Sequence, residues 1–399
     1  MREELLQRFL RYSAIESQSN AKADHVPSTP GQWEMIRLLE SELGQLGAQN
    51  IFVDSHACLT AVFPATGVGP SVGFCAHVDT ADVGLSPRVN AQVHHYEGGD
   101  IDLGNGILSV TDFPELQRYV GDTIITTDGT SVLGADDKAA IAEIMTALGR
   151  LENFPHGEVQ IAFVPDEEIG LRGAKVLDMA RFNPDFAYTL DCGPVGEVVW
   201  ETFNAGYAYI EITGVAAHPM SAKGVLVNPL LIAIDIANTF DRTQTPECTD
   251  GREGYIWVQE MEGGQSRATL TLNIRDHSRQ GYEEKKKRVR SAVADARVRE
   301  PRAKIELTEE DTYANIADSM TDENRVGLTR LLDACARIGV EVKPTPMRGG
   351  TDGSYFSTRG LFTPNFFTGA HNFHSRHEFL PLGSMESATR IILELVSAK

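Results

Sequence analysis

Between residues 71 and 191, short apolar runs alternate with segments whose apolar residues recur at helical spacing. That alternation points to an α/β layered domain, in which buried strands need helices to cover them. Residues 71–79 read as a strand with Val72, Phe74, Ala76 and Val78 on one face and Cys75, His77 and Asp79 on the other. Further strands are expected at 123–127, 159–164 and 186–191, with a helix over 139–151. Ahead of them, 3–10 and 32–46 have helical spacing, the second stopping at Gly47.

The character changes near Glu201. Residues 207–213 and 267–275 alternate, with a helix at 229–240 between them and an amphipathic helix at 282–298 after them. The Lys285-Lys286-Lys287-Arg288 run follows Glu283-Glu284, so pairing at i,i+4 on a solvated face is expected. This block reads as a small α+β insertion. With 399 residues the chain exceeds one ordinary core. The expected division is a first catalytic part at 1–206, an insertion at 207–314 and a second catalytic part at 315–399.

A net charge of -20 lacks the basic face that a nucleic-acid partner or an anionic membrane surface requires. The acidic N-terminal residues Glu3 and Glu4 argue against a signal peptide, and Asn228, Pro229 and Asp235 break the most apolar stretch. Five scattered cysteines, Cys58, Cys75, Cys192, Cys248 and Cys335, fit reduced thiols and a cytoplasmic location.

Four segments carry the chemistry. His77 and Asp79 sit two apart, so a carboxylate can steady an imidazole. Asp136-Asp137 precedes a helix, where an acid is either a ligand or an ordinary cap. Asp166-Glu167-Glu168 follows a buried strand, and three adjacent acids need solvent or a cation. The fourth segment carries His371, His374 and His377, and spacing alone does not say which of them binds. Imidazoles and carboxylates without a thiolate pair make a catalytic metal site. Six or seven such donors are too many for one ion and suit two ions about 3.5–4 Å apart. Neither a G-x-S-x-G elbow nor a phosphate-binding G-x-x-x-x-G-K-[ST] segment is present.

The ordered blocks AHVDT, LGADDKA, VPDEEIG, TLDCG, RGGTDG and NFHSRHEF resemble the M20 family of two-zinc metallopeptidases, from end to end of the chain. The chain is most similar to the family's cytosolic aminopeptidases acting on tripeptides. The resemblance implies a three-layer α/β/α catalytic domain with a mixed, mostly parallel sheet, plus an inserted α+β lid domain and a homodimer. It implies two zinc ions. His77 and Asp191 would hold one, Glu168 and His374 the other, and Asp136 would bridge them. Glu167 becomes the general base for a metal-bridging water, Asp79 orients His77, and the Asp136–Asp137 peptide is cis. His218 would steady the oxyanion, while Arg275 and Arg348 would grip the carboxylate of a small peptide substrate. Ala140 stands where the family has Gly, and Cys192 and Pro194 interrupt a Gly-rich run; neither removes a ligand. The rivals are a dipeptidase, carboxypeptidase or N-acyl amino acid deacylase of the same family, and a metal-binding scaffold without catalysis.

Overall fold

The computed structural model describes residues 1–398. The chain forms two compact units: Met1–Trp200 with Ser319–Thr345 and Thr351–Lys399, and Glu201–Asp318 with Pro346–Gly350.

The first unit is built on an eight-stranded sheet, in the order Gln49–Val53, Leu59–Phe63, Val159–Val164, Val72–His77, Phe186–Cys192, Asn365–Phe367, Glu197–Val199, Lys343–Pro344. Its central strands run parallel, and antiparallel pairs lie toward the edges. Every residue of Val72–His77 is buried. Alternate side chains point to opposite faces, so both faces are covered. Helices Ala135–Leu148 and Asp352–Thr358 each pack on Val72–His77 and Phe186–Cys192. Thr123–Thr127, expected as one more strand of the layered domain, lies in a separate sheet with Ala91–His95 and Phe379–Pro381. This small sheet closes over its own apolar cluster of Tyr96, Leu108, Leu116, Ile124 and Phe379.

Helix Ala135–Leu148 is buried almost throughout, and it carries an acid in that setting. Glu143 is fully buried, neither carboxylate oxygen has a hydrogen-bond partner among the described residues, and burial holds its pKa well above the ordinary 4.5. The folded protein therefore keeps a proton that the unfolded chain releases above that value. Stability is full below the ordinary value and falls by about 1.4 kcal/mol per pH unit as pH rises from there toward the raised value. Glu143→Gln is expected to remove that slope. Denaturant midpoints of both proteins at pH 5 and pH 8 check it, and an equal change at the two pH values would refute it.

The second unit is a four-stranded antiparallel sheet in the order Tyr255–Gly263, Arg267–Asp276, Asn204–Thr213, Lys304–Tyr313. Alternation sends Ala208, Ile210 and Ile212 inward against Leu270, Leu272 and Ile274, where helices Pro229–Ala237 and Arg279–Arg299 cover them. The basic run of the second helix behaves differently from the expected i,i+4 pattern. Lys285 reaches Asp276 at 2.6 Å and Lys286 reaches Asp311 at 2.7 Å, both on the sheet. Pro346–Gly350 joins this unit because the Met347 amide donates to the Glu201 carbonyl at 2.9 Å and the Phe203 amide to Gly349 at 3.2 Å. Sequence spacing groups that segment with 315–399, since hydrogen bonds across such distances leave no periodic trace. Among the described residues no helix is long and apolar enough to cross a membrane.

Candidate metal centre

His77 ends the central strand and is 1% exposed. Its Nδ1 stands 3.1 Å from the Asp79 carbonyl oxygen and 3.3 Å from Asp79 Oδ1. Those atoms only accept, so Nδ1 carries the proton and Nε2 turns a lone pair outward. Nε2 then meets another acceptor, Asp136 Oδ1, at 2.9 Å. Two acceptors face to face require a positive charge between or upon them.

Asp136 sits where Gly134, in a left-handed turn with φ 72°, bends the chain into its helix, and the Asp136–Asp137 peptide is cis. Its other oxygen, Oδ2, lies 3.1 Å from His374 Nε2, and Glu168 Oε1 lies 2.8 Å from the same nitrogen. His374 is half-exposed on a loop with φ 59°. Asp191 is the penultimate residue of strand Phe186–Cys192, its amide donating to Asn365 Oδ1 and its carbonyl accepting from Asn365 Nδ2, each at 2.7 Å. Donor atoms of His77, Asp136 and Glu168 lie within 4.8 Å of one another, and so do those of His77, Glu167 and Asp191.

Asp79 orders the third acidic segment as well as His77. Its carboxylate accepts the Glu167 amide at 2.9 Å and the Glu168 amide at 3.2 Å. Asp166, the first acid of that segment, faces away and is tied to Ser28 and Gln32. Asp137 accepts the His77 amide at 3.2 Å. Both acids were candidates by sequence, and the fold uses both to brace backbone.

Electrostatics matches this donor set to cations. Burial, then Asp191, raises the Glu167 carboxyl well above its ordinary range; burial, then Asp136, does the same for Asp191 and lifts Glu168 as well. Burial opposes charge on His374, but hydrogen bonds to Asp136 and Glu168 outweigh it and push the imidazole up to about 11. Burial also opposes charge on Asp136, and the two imidazoles hold it below its ordinary value. The cluster thus draws positive charge onto its imidazoles, which two divalent cations would supply directly. Cys192, next to Asp191, is no part of this. Burial raises its thiol far above the ordinary value, and Sγ turns to the Glu197 carbonyl at 3.6 Å.

The first unit therefore gathers His77, Asp79, Asp136, Glu167, Glu168, Asp191 and His374. The remaining candidates belong to the second unit. Arg275 Nη1 donates to the Arg348 carbonyl at 3.0 Å and Nε to Asn273 Oδ1 at 3.1 Å. The Arg348 guanidinium lies over Phe203 and Tyr255 and donates to the carbonyls of Gly251 and Glu253 and to Thr249 Oγ1. Much of its donor capacity thus holds the 249–253 loop. His218 is exposed at the start of a short turn, where its Nδ1 accepts the Met220 amide at 3.2 Å.

Sequence reasoning assigns no role to Glu378, yet its buried carboxylate accepts four backbone amides, Leu133, Gly134, Ala135 and Asp136. The available signal is an acid at the end of the His-rich segment. Asp352, in the Gly-rich RGGTDG block, is a second such residue. It is 2% exposed, and burial raises it to about 7.

Comparison with known proteins identifies the family and the fold. The model of peptidase family M20/M25/M40 matches residues 134–398. A peptidase T-like protein of Rhizobium meliloti (strain 1021) is 49% identical over 99% of this chain and 98% of its own length. A peptidase T of Exiguobacterium sp. is 43% identical over 99% of this chain and 97% of its own. Among solved structures, a tripeptidase of Staphylococcus aureus superposes with a TM-score of 0.78 at 22% identity, covering 99% of this chain and 98% of that one. A dinuclear metal-binding M20 peptidase of Bacillus subtilis superposes at 0.65 with 14% identity, covering 99% and 98%. Those two structural likenesses speak for the fold, whereas the full-length sequence identities speak for descent. With the family model spanning well over half of it and its identities running end to end, the chain belongs to peptidase family M20/M25/M40, among the peptidase T proteins.

Proposed function

We propose that this chain is a metal-dependent aminopeptidase that releases the N-terminal residue of tripeptides, with two zinc ions at the carboxylate–imidazole cluster. The observation that carries this reading is the division within Asp136: one oxygen faces His77 and the other faces His374. His77 and Asp191 would hold one ion, Glu168 and His374 the other, with Asp136 shared. When bound, the ion pair polarises the scissile carbonyl and makes water acidic near neutral pH.

The rest is done by side chains. Glu167, its carboxyl raised by burial and by Asp191, takes a proton as water adds to the carbonyl carbon. It returns that proton to the departing amine as the C–N bond breaks. Asp79 holds the Glu167 and Glu168 amides, so base and ligand point in fixed, different directions. His218 steadies the oxyanion, and Arg275 and Arg348 hold the substrate carboxylate. A guanidinium suits that group because its planar fork can bind both oxygens. A grip on the substrate carboxylate would make peptide length a basis for selection.

Five unpaired cysteines support a reducing, cytoplasmic setting, and the family resemblance supports a homodimer. The test is an assay of the zinc-loaded protein on dipeptides, tripeptides, tetrapeptides and N-acyl amino acids. Tripeptides are expected to lead in kcat/KM by at least about tenfold, a difference of about 1.4 kcal/mol in transition-state binding. Equal rates on all peptide lengths would defeat the length selection. Preference for N-acyl amino acids would move the chain to a deacylase.

A further inference from the structure

Glu378 closes a loop that begins at His371. His371 and Phe379 exchange both backbone hydrogen bonds, at 2.9 and 3.1 Å, so the chain between them folds back on itself. Within the loop the Glu378 amide donates to the Ser375 carbonyl at 3.1 Å, and Asn372 Nδ2 donates to the His377 carbonyl at 3.1 Å. The loop is pinned from outside as well. Tyr119 Oη meets His371 Nε2 at 2.6 Å, and the His371 ring stacks on Phe379 with centroids 4.5 Å apart. His374 and Glu378 therefore ride on one braced piece of backbone.

That piece reaches Asp136 twice. His374 Nε2 stands 3.1 Å from Asp136 Oδ2, and Glu378 Oε1 accepts the Asp136 amide at 3.2 Å. Glu378 Oε1 also accepts the Ala135 amide at 2.8 Å, while Oε2 accepts Leu133 at 2.7 Å and Gly134 at 3.0 Å. Four consecutive N–H groups can face one carboxylate only where the chain curls tightly. Gly134 supplies the curl in the left-handed region, with φ 72° and ψ 28°, and a Cβ there would come 2.9 Å from Thr80 Cγ2. At 1% exposure no solvent can substitute for the Glu378 carboxylate.

A residue that must offer its two oxygens to two separate imidazoles tolerates displacements of only about 0.5 Å. We propose that Glu378 is the positioning residue for Asp136: by holding the four amides of residues 133–136 it sets where the Asp136 carboxylate stands, and so the affinity of the site for its metal pair. The proposal rests on the reading of Asp136 as the shared ligand. Glu378 touches neither substrate nor metal and acts only through that turn.

The test measures zinc affinity of the metal-stripped wild type, Glu378→Gln and Glu378→Asp by competition with a chromophoric chelator. Amide exchange over 133–136 and tripeptide kinetics accompany it. Glu378→Gln keeps the volume but turns an NH2 group toward two N–H donors. It is expected to weaken zinc binding by about 10–100-fold, the range typical of partners that orient ligands. It should also speed exchange at 133–136 in the metal-free protein and lower kcat with KM little changed, and excess zinc should restore part of kcat. Glu378→Asp keeps the charge but withdraws it by one methylene, and its loss should be intermediate. If Glu378→Gln does not fold, Glu378→Asp decides alone. Wild-type zinc affinity in a folded variant, even one of lower thermal stability, makes Glu378 merely structural and overturns the proposal. A wild type that binds no zinc overturns it together with the proposed function, an outcome distinct from a loss confined to the variants.

Discussion

Glu167→Gln is expected to abolish turnover while leaving the metal content of the protein unchanged. The amide keeps the shape of the side chain, and the backbone N–H of residue 167 still donates to Asp79 Oδ1. What is lost is the ability to take and return a proton, worth about 10²–10⁴-fold in rate. The measurement is kcat on a tripeptide together with metal content by elemental mass spectrometry. The structure makes this test sharp, because Glu167 also lies within reach of His77 and Asp191 as a donor to an ion. If Glu167→Gln loses metal along with activity, residue 167 is a ligand, and the division of labour with Glu168 is wrong. If it loses neither, the mechanism fails.

The second large effect is expected at Asp136. Asp136→Ala should lose both ions, whereas Asp191→Ala and Glu168→Ala should each keep one. The reason is geometric: among the described residues only Asp136 offers one oxygen to each of the two imidazoles. Thermal stability reads this directly. A ligand at about 1,000 times its Kd stabilises the folded state by about 4 kcal/mol. Zinc should raise the melting temperature of wild type strongly, that of Asp191→Ala less, and that of Asp136→Ala hardly at all. Retention of one ion by Asp136→Ala would show that the two positions are independent and that this residue does not join them.

Much of this site was legible in the chain. His77, Asp136, Glu168, Asp191 and His374 are separated by as many as 297 residues, yet each stands at an element end or in an adjoining turn that hydrophobic periodicity locates. Strand Val72–His77 delivers His77, strand Phe186–Cys192 delivers Asp191, and the turn after Val159–Val164 delivers Glu167 and Glu168. The family resemblance did the rest, since spacing alone does not say which His of residues 371–377, or which acid of each run, faces the cluster.

Other features left no such trace. Asp137 and Asp166 look like ligands in the chain, because adjacent acids are chemically alike. Only the fold turns one toward the His77 amide and the other toward Ser28 and Gln32. Lys286 follows Glu283 at helical spacing and Lys285 follows no acid at that spacing, yet both reach across to the sheet, Lys285 to Asp276 and Lys286 to Asp311. Arg348 sits in a segment whose spacing assigns it to the catalytic tail, and two backbone hydrogen bonds carry that segment into the other unit.

The sequence by itself determined the element types, the layered α/β plan and the kinds of atom that meet at the centre. Those follow from local periodicity and side-chain chemistry, which any stretch of chain carries with it. The tertiary structure alone decided which acid braces backbone and which faces the cluster, and that one glutamate, Glu378, gathers the amides of a turn more than 240 residues away. Hydrogen bonds of that kind depend on the position of backbone N–H groups, which every residue but proline possesses, so no residue type announces them.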